Sequence, residues 1–398
     1  MTNAHSDRCG RRAAIRLEAL EGRWLLTGGV MRFGPPAPVA LEGSPNSSVL
    51  ADFNGDGKLD LASALGGSDV GVAPGNGDGT FQATRYFRAD PDPFFPTTLA
   101  AVVGDFNNDG RPDLAISTFS TDAVSVLLNT SEGGGLSFAE PITHGAGAEP
   151  VFLAVGDFNR DGRLDVATAN IAADAESSVG ILLGRGDGRF EDLRFAAAGA
   201  NPNSIAVGDF NRDGVPDLAV SYSADAGASA DRVGVLLGRG DGTFQAVRYF
   251  AAGTTPASIA VGDFNRDGVP DLAAANVNSD NVSVLVGDGA GGFTPRATYR
   301  VGSKPNAIVA ADFTGDGRLD LAVANSKGNS VTVLTGRGNG TFLGANSRRN
   351  VFPAGPEPSG SLAVGRIARR FLPDLVVPNA SNRASVLLNR TRLPIHYR

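Results

Sequence analysis

One nine-residue pattern returns at nearly constant intervals along this sequence. It has the form Asp-x-Asn-x-Asp-Gly-x-x-Asp, and the stretch from Asp209 to Asp217 is a complete example. Six copies carry the full set of oxygen side chains, and a seventh, degenerate copy follows them; the copies begin at Asp52, Asp105, Asp157, Asp209, Asp263, Asp312 and Arg366. Successive copies start 49 to 54 residues apart. This regular period predicts a repeat protein, in which each unit buries its apolar face only against its neighbours.

The spacing within each copy predicts a site for a hard cation. Side-chain oxygens at positions 1, 3 and 5 of a tightly curled loop converge on one point, position 7 can add a backbone carbonyl, and the Asp at position 9 closes the shell. Six or seven oxygens at about 2.3 to 2.6 Å suit Ca²⁺ better than Mg²⁺. The pattern contains no Cys or His, which argues against zinc or copper. Glycine at position 6 is expected at positive φ, where a Cβ is costly.

Two alternatives bear on this interpretation. A single pattern of this kind is equally well explained as an Asx-type polar turn, but six copies in register favour a metal site. An EF-hand loop shares the first half of the pattern but needs a Glu at position 12 and flanking helices. Position 12 holds Ser63 in the first copy and Ile116 in the second, and the flanks are short β-type runs. The loops are therefore predicted to connect strands.

Composition agrees with many short strands in one large domain. The 398 residues include 53 glycines and 23 prolines, and only 19% are charged, which fits strands joined by tight turns. The six loops hold 18 of the 42 carboxylates, and six Ca²⁺ ions, contributing +12, would change the formal charge from −7 to +5. The acidity therefore says nothing about partners. No basic cluster with interleaved aromatics suggests nucleic acid.

Residues 1–29 are predicted to be a leader rather than part of the fold. They hold the only tryptophan, the only cysteine and five arginines, namely Trp24, Cys9, Arg8, Arg11, Arg12, Arg16 and Arg23. One cysteine cannot form an intrachain disulfide. The run from Ala13 to Leu20 is interrupted by Arg16 and Glu18, unlike a standard signal peptide. The line from Arg16 to Thr27 resembles the LExLExRxLL leader of exported repeat proteins of planctomycete-type bacteria; the alternative is a short amphipathic helix. No run is long enough to span a membrane.

Each repeat is predicted to form four short strands. In the fourth unit they cover Ser204–Val207, Leu218–Ser221, Val233–Leu237 and Gln245–Phe250. A glycine-dense hairpin ending in phenylalanine precedes the last strand and is expected to anchor it; these hairpins are Gly75–Phe81, Gly184–Phe190, Gly238–Phe244, Gly287–Phe293 and Gly336–Phe342, with a looser version from Leu128 to Phe138. Seven such units predict an all-β, seven-bladed β-propeller over residues 30–398.

The ring is predicted to close through the N-terminal part of the chain. The seventh unit runs out after its third strand, Ala384–Leu388, while Met31 to Leu41 reads as a spare fourth strand. Pairing the two would complete the last blade and remove the sheet edges.

The repeats resemble FG-GAP/VCBS repeats, the family that builds the seven-bladed head of integrin α subunits. The resemblance covers about residues 30–398 and rests on the phrase Val-Gly-Asp-Phe-Asn-x-Asp-Gly-x-x-Asp, found at Val103–Asp113, Val155–Asp165, Val207–Asp217 and Val261–Asp271. It implies that the loop between the first and second strands of a blade binds Ca²⁺, in about six sites. The implied ligands are Asp52, Asn54, Asp56, Asp60, Asp105, Asn107, Asp109, Asp113, Asp157, Asn159, Asp161, Asp165, Asp209, Asn211, Asp213, Asp217, Asp263, Asn265, Asp267, Asp271, Asp312, Thr314, Asp316 and Asp320.

Two copies depart from the family pattern. Thr314 replaces the usual Asn or Asp at position 3, so the sixth site is expected to be weaker. The seventh copy keeps only Asp374, and Arg366 and Arg370 stand at carboxylate positions. Their charges can occupy the place of a cation, so the seventh blade is expected to be metal-free.

No constellation of residues predicts catalysis. His5, His144 and His396 are isolated and are interpreted as surface histidines, and nothing resembles a nucleophile with its base. Asp69, Asp122, Glu149 and Asp280 fall in variable loops and are read as solvated carboxylates rather than a glycosidase pair. The tripeptides Arg185-Gly186-Asp187 and Arg239-Gly240-Asp241 lie in hairpins and are explained by turn chemistry rather than by adhesion.

Strand alternation places the metal loops and the hairpins on one face of the ring. The other face carries the longest loops, Ser221–Arg232 and Phe87–Thr98, and four asparagines at matching positions, read as left-handed turn residues or as a binding ring: Asn170, Asn276, Asn325 and Asn379. Loops on a rigid scaffold commonly carry binding residues, so a protein or glycan ligand is expected there. The hypothesis is an exported, monomeric, non-enzymatic adhesion module at the cell surface. The alternative is a lectin, lyase or hydrolase using a central pocket.

Overall fold

A computed structural model describes residues 31–90, 97–171, 178–222, 232–344, 347–368 and 370–391 of the chain. The predicted leader, Cys9, His5, His396 and most of the two longest loops lie outside the described residues. No helix in the described part of the chain is long and apolar enough to cross a membrane.

The described residues form seven antiparallel sheets, each of four strands, with one extra strand in the sixth. The strands follow chain order from the inside outwards, except that β1 is the outer strand of the seventh sheet. Blade 1 contains β2 (Ser47–Ala51), β3 (Asp60–Ala64), β4 (Asp69–Ala73) and β5 (Arg85–Arg88); blade 2 contains β6 (Thr98–Gly104), β7 (Asp113–Thr118), β8 (Ala123–Leu127) and β9 (Ile142–Gly145); blade 3 contains β10 (Pro150–Gly156), β11 (Asp165–Asn170), β12 (Val179–Leu182) and β13 (Arg194–Ala196). Blade 4 contains β14 (Pro202–Gly208), β15 (Asp217–Tyr222), β16 (Arg232–Leu236) and β17 (Arg248–Ala251).

The remaining blades follow the same plan. Blade 5 contains β18 (Pro256–Gly262), β19 (Asp271–Asn276), β20 (Asn281–Gly287) and β21 (Phe293–Arg300); blade 6 contains β22 (Pro305–Ala311), β23 (Asp320–Asn325), β24 (Ser330–Gly336), β25 (Phe342–Leu343) and β26 (Val351–Pro353); blade 7 contains β27 (Ala363–Gly365), β28 (Asp374–Asn379), β29 (Arg383–Leu387) and β1 (Ala37–Ala40). In blade 6 the outer position is divided, because β25 and β26 both pair with β24. Two short 3₁₀ helices cover Phe119–Thr121 and Arg348–Asn350.

The first strand of every blade contacts the first strand of the next, from β2 through β6, β10, β14, β18, β22 and β27 and back to β2. The sheets therefore form a closed ring, the predicted seven-bladed β-propeller. The predicted closure is also confirmed, because β1 pairs antiparallel with β29, Ala37 opposite Val386 and Ala40 opposite Arg383.

The core consists of seven clusters, one between each pair of adjacent blades. The second strand of each blade is buried along its whole length, because neighbouring blades cover both of its faces. This explains the near-continuous apolar runs, such as Leu218-Ala219-Val220, where a half-exposed strand would alternate.

Phenylalanines join the blades at the metal-loop face. The phenylalanine at position 2 of each loop packs edge to face on the hairpin phenylalanine of the following blade, with ring centroids 5.4 to 6.1 Å apart. The pairs are Phe53–Phe138, Phe106–Phe190, Phe158–Phe244, Phe210–Phe293, Phe264–Phe342 and Phe313–Phe33. The hairpin phenylalanine was expected to anchor its own outer strand; it also fixes the previous blade.

Candidate metal centres

The six complete loops share one backbone conformation. Position 6 is a glycine in the left-handed region, with φ between 76° and 84°, as predicted. Position 4 is left-handed as well, at Gly55, Asn108, Arg160, Arg212, Arg266 and Gly315. Two left-handed residues so close together wind the backbone tightly, and a Cβ at these positions is costly. All six loops connect the first and second strands of a blade, so the twenty-four predicted ligands lie on one face of the ring.

Hydrogen bonds inside each loop hold the side chains of positions 1, 3 and 5, as the loop of blade 4 illustrates. The backbone N–H of Asp213 donates to Asp209 Oδ1 at 3.1 Å and to Asn211 Oδ1 at 3.1 Å, and Gly214 N donates to Asp209 Oδ2 at 2.9 Å. Val215 N donates to Asp213 Oδ1 at 2.8 Å. Backbone amides of the loop therefore hold the side-chain oxygens of positions 1, 3 and 5 in place.

The aspartate at position 9 has a structural role that the sequence did not reveal. It is fully buried in all seven copies. In blade 4, Asp217 Oδ2 accepts from Phe210 N and Oδ1 accepts from Gly238 N, both at 2.7 Å, which ties the loop to the end of the third strand. Asp374 accepts in the same way from Ala368 N at 3.1 Å and Asn389 N at 2.7 Å. The degenerate copy therefore keeps these bonds although it lacks the carboxylates at positions 1 and 5.

Burial raises the pKa of these carboxyls, and backbone N–H donors oppose the shift. Mutual repulsion from the carboxylates at positions 5 and 1 adds to the rise in pKa, except at Asp60, where position 5 alone contributes. The pKa is about 6 at five sites and about 7 at Asp320. In blade 7 burial also raises the pKa of Asp374, and backbone N–H donors together with the Arg370 guanidinium partly oppose the rise. Six loops thus concentrate negative charge that the seventh balances with an arginine.

The carboxylate at position 5 has a cationic neighbour in four of the six loops. The residue at position 7 makes the ion pair: Lys58 Nζ lies 2.8 Å from Asp56, Arg111 lies 2.6 Å from Asp109, Arg163 lies 3.6 Å from Asp161, and Arg318 pairs with Asp316. In blades 4 and 5 position 7 is Val215 or Val269, and no ion pair to position 5 is found in the described residues.

The carboxylate and amide oxygens of the loops are ligands that suit a hard cation. However, these side chains already make hydrogen bonds and ion pairs within the protein. Within the described residues, no three Asp, Glu, His or Cys side chains are gathered as a metal ion would require. The carboxylates at positions 1 and 9 accept from backbone amides, and in four loops the carboxylate at position 5 also faces the cation at position 7. Loops 4 and 5, which lack that cation, fit an ion best. In loop 6 the Thr314 hydroxyl donates to Asp312 Oδ1 at 3.3 Å.

The asparagines of the opposite face do not form an exposed ring, which corrects both interpretations offered for them. Asn170, Asn276, Asn325 and Asn379 are fully buried, and their φ angles are not left-handed. Asn379 Nδ2 donates to Ala354 O at 2.8 Å, and Asn170 Nδ2 donates to Ala146 O at 3.0 Å. They lie at the ends of the second strands. There they donate hydrogen bonds to backbone carbonyls in the outer segment of the preceding blade or to nearby side chains.

The acids considered for glycoside chemistry also have structural partners. Asp122 Oδ1 accepts from Glu149 N, and Asp280 Oδ1 accepts from Lys304 N, both at 2.8 Å, so each joins the turn of one blade to the start of the next. Asp69 accepts from Ser68 Oγ at 2.9 Å. His144 was expected on the surface, but it is half-buried on β9 and packs edge to face on Phe190; burial lowers its pKa.

Two buried asparagines were missed entirely. Asn129 Nδ2 donates to the carbonyl oxygen of Phe53, and Asn389 Nδ2 donates to that of Phe313, both at 2.9 Å. In blades 3 to 6 a hairpin glycine N–H donates to the equivalent carbonyl, those of Phe106, Phe158, Phe210 and Phe264, at 2.9 to 3.1 Å. Both asparagines stand where the other hairpins have their first glycine. This difference between the repeats was the sequence signal that could have identified them.

The hairpins carrying Arg-Gly-Asp behave as turns. Asp187 Oδ1 accepts from Arg189 N at 3.0 Å, and Asp241 Oδ1 accepts from Thr243 N at 2.9 Å. These bonds agree with the interpretation of the tripeptides as turn chemistry.

Comparison with known proteins agrees with this architecture. No curated protein sequence matches the chain significantly. Among solved structures, the chain is similar to BBS1N in complex with ARL6DN, with 14% identity over 92% of this chain and 99% of that one and a TM-score of 0.61. It is similar to an Agrocybe aegerita lectin that recognises non-reducing terminal N-acetylglucosamine, with 20% identity over 76% and 79% of the two chains and a TM-score of 0.52.

A third similar structure is Chaetomium thermophilum Raptor, with 15% identity, a TM-score of 0.56, and coverage of 92% of this chain and 29% of that one. At these identities the likeness shows the fold alone. The FG-GAP-like repeat model matches six times, over residues 52–116, 105–168, 170–220, 223–274, 270–323 and 312–377. These matches span the metal loops and most of the seven blades, and the chain belongs to the FG-GAP-like repeat family.

Proposed function

We propose that this chain is a calcium-stabilised propeller that serves as a non-enzymatic interaction module. The observation that carries the proposal is the contrast between the loops. Six of them each crowd three carboxylates into nine residues, one of which is buried with a raised pKa, while the seventh replaces two ligand positions by Arg366 and Arg370.

A divalent cation would balance the negative charge that the three carboxylates concentrate in each of the six loops. Burial, with a smaller contribution from the carboxylates at positions 1 and 5, raises the pKa of the carboxyl at position 9, so desolvation and repulsion both disfavour its ionised state. An ion that binds only the folded loop stabilises the fold. With free Ca²⁺ a few times above Kd, each site would contribute on the order of 1 kcal/mol.

The interaction surface is proposed on the face opposite the metal loops. The strand ends that the two longest connections join, between the second and third strands of blade 4 and between blades 1 and 2, lie on that face. Loops on a rigid scaffold are common binding elements. The turns of that face are tied to neighbouring blades by bonds such as Asp122 to Glu149 N. A protein or glycan ligand would therefore meet a fixed framework. Export to the cell surface is proposed from the leader resemblance, and a monomer is proposed as the working state.

Carbohydrate processing is the weaker candidate. The likeness to the Agrocybe aegerita lectin concerns the fold. Two of the acids considered for glycoside chemistry, Asp122 and Asp280, accept hydrogen bonds that join blades, and His144 lies half-buried against Phe190. We therefore favour binding over catalysis.

Calorimetric titration of chelator-treated protein with Ca²⁺, together with thermal melting with and without EDTA, tests the proposal. About six sites and a higher melting temperature with Ca²⁺ are expected. Titration with Mg²⁺ is the matched control, and it should give weaker binding because Mg²⁺ demands a stricter octahedron. If Ca²⁺ does not bind and the melting temperature is unchanged, the loops are polar turns and not metal sites.

A further inference from the structure

The seventh blade carries a cavity on the metal-loop face that differs in charge from the six acidic loops. Its volume is about 1120 Å³, and it lies between the degenerate loop and the segments joined by ring closure. Its lining combines exposed arginines with apolar side chains, chiefly Arg32, Arg370, Arg390, Phe371, Leu372 and Phe33.

The three arginines have no carboxylate partner among the described residues. Burial raises the pKa of Asp374 and Arg370 only partly opposes this rise; both oxygens of that fully buried carboxyl accept from backbone amides. The Arg390 guanidinium packs against Gly34, so closely that a Cβ added to this glycine would lie only 2.9 Å from Arg390 Nε. The guanidinium groups therefore keep donors available for an anion.

Phe371 supplies the apolar part of this surface. It stands at position 6, where the other copies have a left-handed glycine, but it is not left-handed itself and its side chain is 83% exposed. It is the most exposed of the large apolar side chains in the described residues. Leu372 and Phe33 continue the apolar surface inwards, where Phe33 packs on Phe313 and Phe352 at centroid distances of 5.9 and 5.1 Å.

The cavity is poorly equipped to bind sugar hydroxyls, which need acceptors as well as donors. Asn389 Oδ1 already accepts from Thr391 N, and its Nδ2 donates to two backbone carbonyls. Thr391 Oγ1 accepts from Arg32 N at 3.0 Å. Free guanidinium groups beside an exposed phenylalanine instead match a carboxylate next to an apolar side chain.

We propose that the cavity of blade 7 binds an acidic peptide segment of a partner protein, with carboxylates on Arg32, Arg370 and Arg390 and an apolar or aromatic side chain against Phe371. Charge complementarity identifies the occupant: the lining holds three positive and no negative side chains. This surface lies on the face that carries the metal loops, so it is separate from the interaction face proposed above and does not depend on Ca²⁺ ligation.

Fluorescence anisotropy with the full chain and a labelled peptide of alternating glutamate and leucine tests the proposal. Arg370→Glu and Arg390→Glu should each weaken binding by about tenfold or more, and high salt should weaken it as well. Phe371→Ser should weaken binding without changing the melting temperature, because its side chain is exposed. Arg383→Glu, an exposed charge at the far end of the same blade, is the matched control and should bind normally.

Two comparisons can overturn the proposal. A peptide in which glutamine replaces every glutamate should not bind, and equal affinity for the two peptides would remove the role of the arginines. A sulfated oligosaccharide that binds more tightly than the peptide, with no effect of Phe371→Ser, would make this surface a general anion site and contradict the peptide assignment.

Discussion

The side-chain Nδ2 of Asn389 lies 2.9 Å from the carbonyl oxygen of Phe313, seventy-six residues away, and donates a hydrogen bond to it across the boundary between blades 6 and 7. Asn129 makes the same bond to Phe53 across blades 1 and 2, at the same sequence separation. Each asparagine also donates to the carbonyl of a proline before the buried aspartate, Pro373 or Pro112. At these two boundaries an asparagine side chain thus makes the hydrogen bond between blades that a hairpin glycine N–H makes in blades 3 to 6.

Asn129→Ala should destabilise the protein by about 1 to 3 kcal/mol, because the carbonyl of Phe53 would lose its donor in a buried place. Urea unfolding with Ca²⁺ present measures the loss. Asn76→Ala is a suitable control, since Asn76 bonds only within an exposed hairpin. Equal effects of the two substitutions would mean that the bond between blades contributes little.

Substitutions at positions 5 and 9 of one loop should separate metal binding from structure. Asp213→Ala should remove one Ca²⁺ equivalent and leave stability in EDTA nearly unchanged, because Asp213 accepts only from within its loop and its side chain is not needed elsewhere. Asp217→Ala should cost roughly 2 to 5 kcal/mol even in EDTA, because Phe210 N and Gly238 N would lose their acceptor.

Asp374→Ala provides the matched control for that comparison. It should destabilise the protein in EDTA as Asp217→Ala does, without altering the number of Ca²⁺ ions bound, because its loop lacks the other ligands. Stoichiometry by calorimetry and stability by urea unfolding give both answers. A lower Ca²⁺ stoichiometry in Asp374→Ala would show that the seventh loop binds metal after all.

Arg111→Val should raise the Ca²⁺ affinity of the second loop by about two- to fivefold, the range of a partly exposed ion pair. In the native loop, Arg111 lies 2.6 Å from Asp109 and would compete with the ion. Valine at this position reproduces the loops of blades 4 and 5, where Val215 and Val269 stand. Calorimetry on the variant measures the change, and Arg337→Val, outside the metal loops, serves as control. Unchanged affinity would show that the arginine does not compete.

The metal-free protein should lose stability as the pH rises from about 4 to 7. The buried carboxyls have folded-state pKa values of about 6, and about 7 for Asp320, above the ordinary value of 3.8. The folded state therefore binds protons more tightly, and its advantage disappears as pH passes through those values. The lowered pKa of His144 acts in the opposite direction, but it is one group against seven buried carboxyls, Asp374 included.

Melting in EDTA across this pH range is the measurement. The same series in excess Ca²⁺ should show a smaller loss or a gain, because the ion binds the ionised carboxylates. A metal-free protein that becomes more stable between pH 5 and pH 7 would contradict the prediction.

Much of the architecture followed from the repeat alone. The strands of blade 4 were placed within a few residues, since Pro202–Gly208 and Asp217–Tyr222 contain the predicted Ser204–Val207 and Leu218–Ser221. Ring closure was predicted because the seventh unit lacked a fourth strand. Such features depend on period and on local turn chemistry, which sequence displays directly.

The contacts between blades could not be predicted in this way. Asn379 was read as a turn residue, yet it is buried and donates to Ala354 O in the outer segment of blade 6. The pairing of Phe158 with Phe244 and the double role of Asp217 likewise depend on which strands become neighbours in space. Repeat periodicity identifies equivalent positions, but it does not say which of two adjacent units a side chain will contact.

The closure of blade 7 also sets the order in which the ring can assemble. Among the described strands, β1 is synthesised first and its partner β29 last, so this pair has the longest sequence separation of the described strand pairs. Loop-closure entropy opposes such contacts, and folding rates fall as they dominate. A circular permutant that begins before β2 and carries β1 after β29 would replace this pairing by a local hairpin. It should refold faster than the native chain at similar stability, because all seven blades would then be contiguous in sequence.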